Sequence, residues 1–171
     1  PAARRFLIDV AAYWLREFDI DGYRLDFAHG PTRSFWSDFW PACKTIEPDC
    51  WCFGEVIEPP DLQMSFVGRL DGLLDFQLNE RLRRLFAQGR GDLNQFDQFL
   101  TAHESYFPSD FTRPGFVDNH DMDRFLYLAG GDVRRVQLAA LCLATLPQPW
   151  IIYAGTELAV TQDAGRDAWG L

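Results

Sequence analysis

The sequence has few basic residues and no long apolar stretch. Its 16 Lys and Arg residues, of which Lys44 is the sole lysine, stand against 25 Asp and Glu residues, so the formal net charge is −9. Because an acidic protein without a basic stripe repels phosphate backbones, we expect no nucleic-acid partner. The longest apolar candidate, residues 136–146, ends at Pro147 and is far shorter than the roughly 20 residues that span a bilayer. We therefore expect no membrane partner either.

Cysteines are few and lack the spacing of a zinc site. The sequence contains four of them, Cys43, Cys50, Cys52 and Cys142. Zinc ligands usually come as pairs separated by two to four residues, and no such pairs occur, so we predict no metal site among them. We interpret all four as reduced packing residues, because a free cysteine behaves as a small hydrophobe. Reduced thiols favour a cytoplasmic location, although a sequence that opens at Pro1 without an initiator Met does not decide on a signal peptide.

Hydrophobic residues make up 47% of the chain, enough to bury a sizeable core, and the length favours one domain over residues 1–171. The predicted helices are 3–18, 35–46, 78–88, 93–106 and 133–146, with Thr32 or Ser34 and Asp92 as expected caps of the second and fourth. The predicted strands are 23–27, 50–56, 72–76, 116–118 and 149–153. Strands separated by helices indicate an α/β fold with parallel strands joined by right-handed crossovers.

Acidic side chains lie at the C-terminal ends of the predicted strands. Asp26, Glu55, Asp75 and residues 118–121 occupy this position in four of the five strand units. Enzymes with a (β/α)₈ barrel build their sites on that face. Open doubly wound sheets also bind ligands there, but mostly through a Gly-rich phosphate turn, which this sequence lacks. The pattern therefore favours a barrel.

The first predicted strand carries an arginine and an acid on one face. Arg24 and Asp26 are two residues apart, so both point away from the face of Tyr23, Leu25 and Phe27. We expect those three residues to pack against a helix, which leaves Arg24 and Asp26 facing the barrel axis. An arginine beside a carboxylate favours its charged form, as a nucleophile requires. A buried ion pair that only holds the barrel together is the alternative.

Glu55 lies at the C-terminal end of the second predicted strand, after the apolar run of residues 51–54. Removal from water disfavours the charged form of a carboxyl group, which suits a proton donor at neutral pH. A partly solvated loop glutamate is the alternative interpretation.

A further acidic cluster lies at residues 118–124, with three aspartates, His120 and Arg124. Such a group could hold a metal, but metal ligands usually come from several elements, and His29 and His103 show no matching spacing. A solvated loop is the other alternative. We predict no metal ligands here.

Taken together, these segments resemble the α-amylase family, glycoside hydrolase family 13, over essentially the whole chain. Residues 21–26 resemble the strand-four motif of that family, residues 54–56 the strand-five motif, residues 116–121 the strand-seven motif and residues 148–157 the strand-eight segment. Four motifs in the correct order are a specific signal. The resemblance implies a partial (β/α)₈ barrel, strands four to eight with their helices, as a fragment of a longer chain.

The resemblance also implies a role for each site residue. Asp26 would be the nucleophile, Glu55 the general acid and then base, and Asp121 the acid that binds sugar hydroxyls and stabilises the transition state. Arg24 would hold Asp26 ionised, and His120 would hydrogen-bond the sugar. Two carboxyl groups about 5–5.5 Å apart give retention of configuration through a covalent intermediate.

Many members of the family carry a Lys-His pair after the nucleophile, which shapes the acceptor subsites and a calcium site. His29 and Gly30 occupy those positions here. We therefore expect no cofactor in this chain, and calcium binding by a longer parent stays open. We expect Asp75 to have a structural role.

The predicted function is a retaining hydrolase acting on an α-glucan or maltooligosaccharide. An α-glucanotransferase would use the same covalent intermediate, and a non-catalytic scaffold barrel is a further alternative, although all three acids are present. An aldolase would need a Schiff-base lysine, whereas Lys44 lies within a predicted helix. We expect the 171-residue piece alone to be inactive and to self-associate, because a half-barrel exposes strand edges and apolar faces.

Overall fold

Helices alternate with short parallel strands in the computed structural model, which describes residues 2–163 and 165. The described residues form two units. The first unit runs up to Leu74 and includes Pro108–Thr112. The second unit comprises Asp75–Phe107 and the described residues from Arg113 onwards. Parallel strands within each unit confirm the predicted α/β class.

The first unit contains a three-stranded parallel sheet in the order β1–β2–β3. Its elements are α1 (Ala2–Phe18), β1 (Gly22–Leu25), α2 (Arg33–Ile46), β2 (Trp51–Gly54), α3 (Pro60–Gln63), a 3₁₀ turn (Met64–Phe66) and β3 (Gly72–Leu73). Gly22 pairs with Trp51 at one end of the β1–β2 ladder. A Cβ atom on Gly22 would lie 2.0 Å from the Trp51 carbonyl oxygen, so this approach of the two strands requires glycine.

Helices α1 and α2 cover one face of β1. Tyr23 points toward both helices: its hydroxyl donates to the Ala11 carbonyl of α1 over 2.7 Å, and its ring contacts Phe39 of α2 with centroids 5.8 Å apart. The predicted direction of Tyr23 is therefore confirmed. Phe27 was expected on the same face, and that prediction is wrong. It lies beyond the end of β1, adopts a φ of 43° and is 66% exposed.

The second unit contains a two-stranded parallel sheet, in which Gly115 pairs with Trp150. Its elements are α4 (Phe76–Leu82), a π-helical turn (Arg83–Ala87), α5 (Leu93–Tyr106), β4 (Gly115–Phe116), α6 (Phe125–Leu128), α7 (Val133–Thr145), β5 (Trp150–Ile151) and a 3₁₀ turn (Thr156–Leu158). Their apolar faces meet in one core, which includes the buried residues Leu78, Leu82, Val117, Phe125, Val136, Ala139 and Leu143.

The structure agrees with the predicted helices more closely than with the predicted strands. Helix α5 has the predicted bounds, and Asp92 caps it by accepting the Gln95 N–H. Thr32 stands at the start of α2 but makes no side-chain cap hydrogen bond. The strands are two to four residues long, and the short helices α3 and α6 were not predicted.

All four cysteines are free, as predicted, and Cys43, Cys50 and Cys52 are buried. No helix in the part of the chain that the structure describes combines the length and apolar character needed to cross a membrane.

Candidate active site

Two acids and an arginine meet at the C-terminal ends of β1 and β2. Leu25 pairs with Gly54 in the parallel ladder, so the residues that follow each strand leave the sheet side by side. Asp26 follows β1, Glu55 follows β2, and Arg24 lies on β1. The predicted convergence of Arg24 and Asp26 is present, and Glu55 joins them.

The guanidinium group of Arg24 links the two carboxylates. Its Nη1 hydrogen-bonds Oδ1 of Asp26, and its Nη2 lies 2.9 Å from Oε1 of Glu55. The Asp26 side chain is 75% exposed, whereas the Glu55 side chain is 13% exposed. One carboxylate is therefore accessible to a ligand, and the other is largely enclosed by protein.

Backbone hydrogen bonds tie the segment around Asp26 to Glu55. The Glu55 N–H donates to the Leu25 carbonyl over 2.9 Å, and the Ala28 N–H donates to the Glu55 carbonyl over 3.0 Å. The Phe27 N–H donates to Oε2 of the Glu55 side chain over 3.2 Å. The side-chain alternation predicts packing for Phe27 and not this contact, because nothing in the sequence signals a phenylalanine with positive φ.

Close packing beneath these residues requires a glycine. A Cβ atom on Gly54 would lie 2.8 Å from the Cβ of Ala28, and 3.0 Å from side-chain atoms of both Leu70 and Leu73. Gly54 therefore lets the turn after β1 approach β2, which explains a glycine immediately before Glu55.

The loop after β2 is held by Gln63, a buried residue that was not among the predicted site residues. Its Nε2 donates to the carbonyl of Val56 over 3.2 Å and to the carbonyl of Glu58 over 2.8 Å. The carboxylate of Glu58 lies 3.8 Å from Nδ1 of His29. Pro60 at the first position of α3 was the available sequence signal for a helix here.

In the second unit, Asp118 is buried at the end of the segment that contains β4. Its oxygens accept the Phe125 N–H over 2.6 Å and the Thr156 hydroxyl over 2.9 Å. Arg83 lies 3.6 Å away. Burial lowers the pKa of Arg83, while the charge of Asp118 acts in the opposite direction. These contacts give Asp118 a structural role, because its carboxylate holds the Phe125 amide and the Thr156 hydroxyl.

His120 and Asp121 lie at the surface of the second unit. Nε2 of His120 is 3.2 Å from Oδ2 of Asp121, and the two side chains are 58% and 62% exposed. The Asp121 N–H donates to Oδ1 of Asn119 over 2.9 Å, which fixes the start of this turn. Both polar groups are therefore accessible to a ligand.

Asp75 has the predicted structural role. It is buried, it caps α4 by accepting the Leu78 N–H over 2.9 Å, and its other oxygen lies 2.7 Å from Nε2 of His103. Within residues 2–163 and 165, no three His, Cys, Asp or Glu side chains are grouped as metal ligands.

Known proteins share this arrangement of elements. The family model described as the catalytic domain of α-amylase matches residues 1–168. Alpha-amylase 2 of Dictyoglomus thermophilum is 37% identical over 157 residues, which are 92% of this chain and 28% of that protein. A cyclomaltodextrinase of Geobacillus thermopakistaniensis is 36% identical over 165 residues, or 94% of this chain and 28% of that protein. The chain thus spans less than a third of the length of these curated relatives.

The similarity extends to three dimensions. The crystal structure of an Anoxybacillus α-amylase matches with a TM-score of 0.88 and 30% sequence identity, over 99% of this chain and 38% of that one. The parallel α/β arrangement is thus that of part of a (β/α)₈ barrel.

Proposed function

The chain belongs to the α-amylase catalytic-domain family, and we propose that it supplies the nucleophile and the acid/base of a retaining α-glucan hydrolase. We further propose that its strands correspond to barrel strands four to eight, within one domain of a longer polypeptide, called the parent protein below. The observation that carries the proposal is the contact of one guanidinium, that of Arg24, with the carboxylates of both Asp26 and Glu55.

The chemistry follows from these two carboxylates. In the first step Asp26 attacks the anomeric carbon while Glu55 gives a proton to the glycosidic oxygen, so the C–O bond breaks and a glycosyl ester forms. In the second step Glu55 takes a proton from water, whose oxygen attacks the anomeric carbon and releases Asp26. Two inversions restore the original configuration.

The remaining site residues assist these steps. Arg24 orients Asp26 and favours its ionised state, because a positive charge beside a carboxylate stabilises the negative form. In this proposal Asp121 and His120 bind sugar hydroxyl groups, and Asp121 stabilises the positive charge that develops on the sugar ring. Their exposure in the second unit supports this part, because a ligand can reach both.

We propose an α-glucan or maltooligosaccharide as the substrate. One relative is named a cyclomaltodextrinase, which supports including cyclic maltooligosaccharides among the substrates. Hydrolysis and glucosyl transfer share the covalent intermediate and differ in whether water or a sugar hydroxyl resolves it.

The test is Asp26→Asn in the parent protein, incubated with maltooligosaccharides, a cyclodextrin and pullulan, with separation of the products. We expect this variant to lose nearly all turnover, because an amide cannot form the glycosyl ester. Asp9→Asn is the matched control, because the Asp9 side chain is 69% exposed, close to the 75% of Asp26, but lies on α1. Wild-type rates in the Asp26 variant would refute the nucleophile assignment. Products longer than the substrate, formed by the unsubstituted parent protein, would mean that the reaction is transfer and not hydrolysis.

A further inference from the structure

We propose that Phe27 is a positioning residue, which orients Glu55 through its backbone amide. The inference rests on the proposed function, in which Glu55 is the acid/base. The Phe27 N–H donates to Oε2 of Glu55 over 3.2 Å, while Oε1 lies 2.9 Å from Nη2 of Arg24. Each oxygen of Glu55 therefore has its own donor, one from a neutral amide and one from a charged side chain.

The backbone of Phe27 has a conformation that side chains usually avoid. Its φ is 43°, in the left-handed region where the Cβ atom crowds the backbone. Within the described part of the chain, Asp19 and Ala159 are the other non-glycine residues with positive φ. Such conformations persist where the surroundings impose them, and they cluster at active sites. Phe27 is the residue directly after the proposed nucleophile.

The hydrogen bonds on either side of Phe27 impose this conformation. The Leu25 carbonyl accepts the Glu55 N–H, and the Ala28 N–H donates to the Glu55 carbonyl. Ala28 is fully buried, and its carbonyl accepts the indole N–H of Trp36 over 2.9 Å. With Leu25 and Ala28 both hydrogen-bonded to the backbone of Glu55, the amide of Phe27 between them is directed at the Glu55 side chain.

Burial of the Phe27 ring does not explain the conformation, since the residue is 66% exposed. The ring lies against Gly30, where an added Cβ atom would be 2.8 Å from two ring carbons. The Gly30 N–H closes the turn by donating to the Phe27 carbonyl over 2.9 Å. An exposed ring on an unfavourable backbone contributes little to folding, so we assign the role of Phe27 to its amide.

This role predicts a loss in kcat and not in KM. The amide of Phe27 contacts Glu55, the proposed acid/base, and not the proposed sugar-binding groups. Misplacement of the Glu55 carboxyl group should therefore lower kcat, while KM for maltooligosaccharides should stay near the wild-type value.

Phe27→Ile and Phe27→Leu in the parent protein form a matched pair, because the two new side chains have the same atoms. Isoleucine is β-branched and resists positive φ, whereas leucine is branched one carbon further out. We expect Phe27→Ile to lower kcat about tenfold more than Phe27→Leu, with KM near the wild-type value in both. Phe27→Gly removes the ring but adopts positive φ freely, so its kcat should stay above that of Phe27→Ile.

Gly30→Ala is the second variant if Phe27→Ile does not fold. It leaves Phe27 in the chain and crowds its ring, and we expect a lower kcat with KM near the wild-type value. Equal kcat values for the isoleucine and leucine variants, with Glu55→Gln inactive on maltooligosaccharides, would overturn the positioning role alone. A fully active Glu55→Gln variant would instead overturn the proposed function.

Discussion

Asp75 is a buried acid that contacts several groups of the second unit. It caps α4, contacts His103 and lies 3.8 Å from Nη1 of Arg113. The Arg113 side chain is 4% exposed, and burial lowers its pKa, while Asp75 acts in the opposite direction. Removing one partner of a buried ion pair leaves an uncompensated charge, which costs more than the loss of the contact itself.

We therefore predict that Asp75→Ala destabilises the parent protein by about 3 kcal/mol or more, measured by urea unfolding. Asp92→Ala is the matched control, because Asp92 caps α5 in the same way from an exposed position and should cost about 1 kcal/mol. Asp75→Asn keeps a capping side chain but not the charge, so its loss of stability should lie between those of Asp75→Ala and Asp92→Ala. Equal losses for Asp75→Ala and Asp92→Ala would show that the cap alone matters.

At the scale of elements, Tyr23 joins β1 to the helices that cover it. Burial raises the pKa of Tyr23 to about 12 from its ordinary value of 10.0. The unfolded chain thus loses this proton at lower pH than the folded chain does, so the stability contributed by the protonated phenol is complete below pH 10 and is lost as pH rises toward about 12.

Tyr23→Phe in the parent protein should make the decline in stability between pH 10 and about 12 shallower. Below pH 10 the same variant should be less stable by about 1 kcal/mol, because the hydrogen bond to the Ala11 carbonyl is lost. Urea unfolding at several pH values measures both effects. Tyr13→Phe, at an exposed position of α1, is the control. A decline in the stability of Tyr23→Phe between pH 10 and about 12 as steep as in the wild type would contradict the assignment of this decline to Tyr23.

The longer helices could be predicted from the sequence, but the ends of the strands could not. Helix α5 was predictable because its apolar spacing and the Asp92 cap agree. The strand around residues 50–56 was predicted too long, because alternation of side chains continues past Gly54 while the ladder with β1 ends there. Pairing depends on the neighbouring strand, which a local pattern does not describe. The amide of Phe27 was unpredictable for the same reason, since hydrogen bonds to Glu55 set its conformation.

At the scale of the whole molecule, both units expose apolar surface. Helix α1 buries Ala11 and Leu15 and exposes its other side, with Phe6, Leu7, Tyr13, Trp14 and Phe18 each at least 43% exposed. The Trp14 and Phe18 rings contact each other with centroids 4.5 Å apart. In the second unit, an apolar groove is lined by residues that include Val136, Trp150 and Ile152. Among the described strands, β1 pairs only with β2 and β5 only with β4. Contiguous exposed apolar surface and open strand edges promote association.

We therefore predict that the 171-residue chain made alone self-associates and does not hydrolyse maltooligosaccharides. Its apparent mass in size-exclusion chromatography with light scattering should rise with concentration. Replacing Trp14 and Phe18 with Gln should reduce that rise, because the substitutions remove adjoining aromatic surface from α1 and leave its buried side unchanged. Leu93→Gln is the control, since Leu93 is 68% exposed on another helix. A chain that stays monomeric and active at every concentration would contradict this prediction. It would mean that neither apolar surface needs a covering partner, and that the proposed active site works without the remaining strands of the barrel.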